Sequence, residues 1–177
     1  DRRRFRRELG WEGRRVLMTF GLLSRGKGLE RIIGVMPEVV RQVPEALYVI
    51  LGKTHPNVLK AEGEAYRREL REQIAKLGLE EHVVMIDRYL TEQDLVHYLD
   101  ACDLYVTPYP GLEQITSGTL AYAVGVGRPV LTTPYHYAVD LLGDYSDLII
   151  PYDAEREWAN RIIAMLGNDA VLAEWAG

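Results

Sequence analysis

The chain has 177 residues, within the ~100–200 usual for one domain, and its 47% hydrophobic and 27% charged content with 16 Gly and 8 Pro excludes collagen-like, low-complexity and disordered classes. No apolar run approaches the ~18–20 residues needed to span a bilayer. The net charge of −5 is lopsided, because residues 1–15 hold seven Arg against Asp1, Glu8 and Glu12, leaving −9 on the remainder.

The Arg-rich start lacks the apolar core of a secretory signal, which argues against export. It also lacks aromatic interleaving or a recognition motif, so residues 1–14 are expected to form a basic linker or a solvated first helix, with no nucleic-acid partner. The single cysteine, Cys102, cannot form an internal disulfide; it fits a reducing, cytoplasmic setting and reads as a small core residue.

From residue 15 onward, short apolar runs alternate with segments of helical period. Strands are expected at residues 15–21, 46–51, 82–87, 103–108, 129–133 and 147–151, each rich in Val, Ile, Leu or Tyr. Between the first two, Leu29, Ile32, Ile33, Met36, Val39, Val40 and Val43 recur at steps of three and four, an amphipathic helix stopped by Pro44. Tyr66, Leu70, Ile74 and Leu77 repeat that spacing in a second helix, with Gly78 as its C-terminal cap. Weaker helices fit residues 91–100, 116–125, 137–142 and 153–166. Strand and helix thus alternate about six times, which calls for right-handed parallel crossovers. The expected fold is α/β, a Rossmann-like doubly wound parallel sheet of about six strands in three α/β/α layers, occupying residues 15–177. Ligands of such sheets sit outside the carboxyl ends of the strands, which directs attention to the loops near Gly21, Gly52, Asp87, Pro108 and Thr133.

The loop from Gly21 to Gly28 follows a strand and opens a helix. Gly21, Gly26 and Gly28 allow close backbone approach, the helix start offers free N–H groups, and Arg25 and Lys27 add two cations. This is an anion cradle. Gly21 to Lys27 matches GxxxxGK of a P-loop, and residues 83–87 resemble the apolar strand that ends in a metal-binding Asp. Position 28 is Gly, however, where a P-loop needs a Ser or Thr hydroxyl for Mg²⁺. The dinucleotide fingerprint lacks its third glycine. A second loop, after the fourth strand, carries Thr116, Ser117, Gly118 and Thr119 at a helix start facing the same sheet edge, again suited to phosphate; helix capping alone accounts for one hydroxyl.

Three features together resemble the nucleotide-binding, C-terminal half of GT-B glycosyltransferases of family 4. They are the loop Lys27–Glu30 with its helix, the run Ala101-Cys-Asp-Leu-Tyr-Val-Thr-Pro108, and Ala123-Val-Gly-Val-Gly-Arg-Pro-Val130 followed by Asp147-Leu-Ile-Ile-Pro151. The resemblance covers nearly the whole chain. It implies a nucleoside-diphosphate sugar as donor, glycosyl transfer with retention, no cofactor and no metal. The implied partners are an acceptor of unknown identity and an N-terminal domain absent from this sequence, with contact to a lipid surface left open by the basic start. Lys27 matches the family's diphosphate-binding lysine. The family's companion arginine falls at Leu22, so Arg25 is expected to supply that charge. Two family glutamates fall at Gln114 and Tyr122; Glu113, one residue earlier, is the candidate for the charge that Gln114 lacks, and Tyr122 for ribose contact. The base is expected against Asp87, Arg88 and Tyr89. His55, His82, His97 and His136 lie apart from one another at no metal-ligand spacing, and there is no Asp-x-Asp. The reading from another class is a nucleotide-binding module without transferase activity, either a degenerate relative or a P-loop-like phosphohydrolase.

Overall fold

In the computed structural model, which describes residues 2–110, 118–125, 127–134, 136–142 and 148–168, five parallel strands form one sheet in the order β3-β2-β1-β4-β5. The strands are β1 (Arg15–Phe20), β2 (Ala46–Leu51), β3 (Val83–Ile86), β4 (Leu104–Thr107) and β5 (Val130–Thr132). The first five of the six expected strands are present, four of them shortened by one residue at one or both ends. The expected sixth, at residues 147–151, appears as a parallel bridge from Ile149 to Thr132. β1, β2 and β4 are apolar along nearly their whole length because both faces of the sheet are covered; every residue of β2 and β4 is buried.

The helices are α1 (Arg2–Leu9), α2 (Leu29–Gln42), α3 (Pro56–Glu62), α4 (Ala65–Lys76), α5 (Glu92–Ala101), α6 (Gly118–Gly125), α7 (His136–Leu142) and α8 (Glu155–Leu166). The stripe of α2 buries Leu29, Ile32, Ile33, Val35, Met36 and Val39 against the sheet and α8. α4 buries Tyr66, Leu70 and Ile74, together with the charged Arg67. α5 starts on a reciprocal cap, in which the Thr91 hydroxyl accepts from Asp94 N–H and the Asp94 carboxylate accepts from Thr91 N–H.

The basic start is helix α1, docked rather than solvated. Phe5 packs on His97 and Tyr98 of α5. Arg2 and Arg6 converge on Asp103 at 2.9 and 3.3 Å, and the same carboxylate accepts the Val16 N–H at 2.8 Å. Arg6 also donates to the carbonyls of Trp11, Arg14 and Ala101. Arg14 donates to the Glu45, Ala46 and Glu81 carbonyls, so three of the seven arginines hold the floor of the sheet, opposite its carboxyl edge. Cys102 is in the core as expected, its thiol donating to the Leu99 carbonyl and pushed up to about 12 by burial. No helix among the described residues is long and apolar enough to cross a membrane.

Candidate functional site

The strand order reverses between β1 and β4: the chain runs outward through β2 and β3, then returns to place β4 on the other side of β1. A doubly wound sheet has its ligand crevice at this switch point, at the carboxyl edge, where the loops leaving β1 and β4 meet. Lys27 lies there. After β1, residues Arg25–Lys27 form a 3₁₀ turn and Gly28 reverses the chain into α2 with φ +62°. A Cβ on Gly28 would stand 2.3 Å from the Pro108 carbonyl oxygen and 2.8 Å from Pro110 and Tyr152, so the β1 and β4 loops touch only because this residue has no side chain.

Lys27 Nζ lies 4.5 Å from the centre of the Tyr109 ring, across the crevice. Among the described residues no carboxylate pairs with it. Burial without a counter-charge holds its ammonium below the ordinary lysine value of 10.5. A desolvated cation at the end of a strand, beside the positive end of α2, is disposed to take an anion, which would restore the lost solvation.

Arg25, expected beside Lys27, is directed elsewhere. Its guanidinium bonds Glu69 of α4 at 2.5 Å and Glu62 of α3 at 3.0 Å and lies over the Tyr66 ring. These carboxylates raise its pKa further and balance its charge. Lys27 is thus the cation of this loop that has no carboxylate partner among the described residues, and Arg25 braces the loop against α3 and α4.

The first turn of α2 is fixed from two sides. Tyr66 accepts the Leu29 N–H at 3.2 Å and donates to Glu30 at 2.6 Å, while Tyr152 donates to the other Glu30 oxygen at 3.3 Å. Burial first, then the Glu30 carboxylate, pushes the Tyr66 hydroxyl far above its usual range, so it remains a donor.

The loops after β1, β2 and β3 are sewn together by main-chain bonds from Gly21 N–H to Leu51, Leu23 N–H to Lys53, His55 N–H to Leu23 and Gly52 N–H to Ile86. Asp87 follows β3 directly, and its carboxylate faces Arg67 at 3.4 Å and Lys53 at 3.9 Å. Arg88 and Tyr89 project into solvent, Tyr89 being 79% exposed. Glu113, Gln114, Thr116 and Ser117 lie outside the described residues. Gly118 begins α6, and Thr119 and Tyr122 fall on it with side chains outside the description. Among the described residues no cluster of three His, Cys, Asp or Glu side chains could hold a metal ion.

Tyr109, Tyr66, Glu30, Tyr152 and Arg67 were not singled out in the sequence for the roles they take. Only Arg67 left a trace there: it occupies the apolar stripe of α4, three and seven residues before Leu70 and Ile74.

The resemblance motifs divide between the two edges of the sheet. Lys27–Glu30 is at the crevice, whereas Ala101–Asp103 and Gly127–Pro129 are at the opposite edge, where Arg128 donates to the Cys102 carbonyl at 2.8 Å.

The fold is shared with solved glycosyltransferase structures of the GT-B type. Alr3699/HepE of Anabaena, solved with UDP and glucose, superposes with a TM-score of 0.85 at 22% identity over 99% of this chain and 45% of its own. WaaG, a glycosyltransferase of lipopolysaccharide biosynthesis, gives 0.79 at 20% identity over 99% and 44%. The C-terminal domain of the group 1 glycosyltransferase LpcC of Francisella tularensis gives 0.80 at 15% identity over 99% of this chain and 87% of that one. The chain thus spans less than half the length of the first two. Among curated proteins none matches it. The family model for glycosyl transferases group 1 matches residues 1–176, and to that family the chain belongs.

Proposed function

We propose that this chain is the donor-binding, C-terminal half of a retaining, metal-independent glycosyltransferase of family 4. The observation that carries the reading is the buried Lys27 ammonium, without a carboxylate partner among the described residues, at the switch point between β1 and β4 and next to the start of α2. The complexes of Alr3699/HepE with UDP, with UDP and glucose and with UDP-glucose, and the near-complete overlap with an isolated C-terminal domain, support it.

Cleavage of a sugar–phosphate bond moves negative charge onto the departing diphosphate. A fixed cation and N–H donors aimed at that oxygen stabilise the transition state more than the ground state. In this reading Lys27 holds the diphosphate beside the start of α2, and Thr116, Ser117, Gly118 and Thr119 are assigned to the same group. Arg25, already balanced by Glu62 and Glu69, keeps the loop in place. Glu113 and Gln114 face the sugar, Tyr122 the ribose, and the Asp87–Tyr89 segment the base, with the exposed Tyr89 ring as a stacking surface. The acceptor is bound by another domain.

Calorimetric titration with UDP, GDP and ADP, with and without Mg²⁺, tests the proposal. Binding of a nucleoside diphosphate in the absence of metal is expected. Triphosphate binding that requires Mg²⁺, with no metal-free diphosphate binding, would overturn it in favour of a P-loop-like phosphohydrolase.

A further inference from the structure

A cation in the apolar stripe of α4 needs an explanation. Arg67 is 4% exposed, and neighbours on its helix bury Tyr66, Leu70 and Ile74. Stability alone would be served as well by Leu or Met, since buried ion pairs replaced by apolar side chains of similar volume are often neutral or stabilising. Arg67 also carries a buried donor, Nη1, with no hydrogen-bond partner among the described residues, a cost that neither Leu nor Met would bring.

What Arg67 does instead is connect the loops of the carboxyl edge. Its Nε donates to Glu64 at 3.0 Å, and Nη2 donates to the Gly52 carbonyl at 2.8 Å and stands 3.4 Å from Asp87. Glu64 in turn accepts from the Thr54 hydroxyl at 3.0 Å. One guanidinium therefore joins the loop after β2 to the first residue after β3. The Asp87 carboxylate is held there by Arg67 and Lys53, so the segment reaches a ligand through its main chain and through the residues that follow, Arg88 and Tyr89.

We propose that Arg67 is a positioning residue for nucleoside recognition: by pinning Asp87 to Gly52 it sets the path of the Asp87–Tyr89 segment against the base, while the start of α2 beside Lys27 takes support of its own from Tyr66 and Glu30. The inference rests on the donor-site reading above and goes beyond it in assigning a role to a residue buried beneath the site.

The test measures affinity for two probes, inorganic pyrophosphate and whichever of UDP, GDP and ADP the wild-type chain binds. With Arg67→Met, nucleoside-diphosphate affinity is expected to fall about tenfold while pyrophosphate affinity stays within about twofold, a separation that a general loosening of the loops would not produce. Asp87→Asn, at a more exposed position, should weaken nucleotide in the same direction, and the double variant should lose no more than the worse single one. Arg67→Lys should recover part of the loss. Should Arg67→Met not fold, Asp87→Asn decides alone. Equal losses on both probes, or none, would overturn the proposal while leaving the donor-site reading intact; failure of the wild-type chain to bind any of the three nucleotides would overturn both.

Discussion

Lys27 is a buried ammonium with no carboxylate partner among the described residues, and its chemistry follows from that. Burial holds its pKa below 10.5, so between that lowered value and 10.5 the unfolded chain binds more protons than the folded one and stability rises with pH. Anion binding has the opposite dependence: nucleoside-diphosphate affinity should fall as pH rises through the lowered lysine pKa, and binding in that range should take up protons. Titration at several alkaline pH values in buffers of different ionisation enthalpy checks both. Lys27→Ala should cost about 1.5–3 kcal/mol of binding, roughly tenfold to a hundredfold, as expected for a hydrogen bond to a charged group. Gly28 belongs to the same scale. Its φ of +62° costs an L-residue about 1–2 kcal/mol, and a Cβ there would meet the Pro108 carbonyl at 2.3 Å. Gly28→Ala should therefore lower both Tm and nucleotide affinity, because the β1 and β4 loops must separate. The glycine-rich loop and its lysine were legible in the sequence because close approach and charge are local properties. The partner of Lys27 was not: Tyr109 is 82 residues away along the chain, and only the parallel pairing of β1 with β4 brings it across.

At the scale of elements, the start of α2 is held by α4 rather than by a cap of its own. Gly28 supplies no capping side chain; Tyr66 from α4 takes the Leu29 N–H and anchors Glu30. Tyr66→Phe should cost about 1–2 kcal/mol, the usual range for a buried hydrogen-bonded hydroxyl, read as a fall in Tm of roughly 2–4 °C per kcal/mol for a chain of this size. It should also weaken nucleotide binding through the shifted helix start. The periodicity of α2 and α4 was plain in the sequence, as were the strands, because 3.6-residue and continuous apolar patterns reflect which faces are buried. α3 was not anticipated: none of its seven residues is buried, so it carries no periodic signal. The pull of Glu62 and Glu69 on Arg25 was hidden for a related reason. Charges on a surface helix look alike in sequence, and their pairing depends on how α3 and α4 pack beside the loop after β1.

For the molecule as a whole, the order β3-β2-β1-β4-β5 leaves one crevice at the carboxyl edge, while Arg2, Arg6 and Asp103 fasten the opposite edge. Asp103→Ala should remove about 3 kcal/mol, the low end for breaking a largely buried ion pair, without altering the crevice. Normal nucleotide affinity in the folded fraction, beside a lowered Tm, is the expected pair of readings. The proposal that this chain is a donor half predicts that it binds nucleotide and transfers no sugar to an added acceptor; turnover by the chain alone would overturn that prediction.

By itself the sequence determined the alternating strands and helices, the parallel Rossmann-like architecture and the glycine-rich loop with Lys27, since apolar period, glycine placement and charge are written in consecutive residues. Only the tertiary structure decided which charges are paired. It took Arg25 away to Glu62 and Glu69, turned the basic first helix into a clasp on Asp103, committed Asp87 to the buried Arg67, and placed Lys27 over Tyr109 with no carboxylate partner among the described residues. The reason is physical: a side chain's charge is fixed by its type, but whether that charge is paired, desolvated or available depends on neighbours that the chain brings together from far apart.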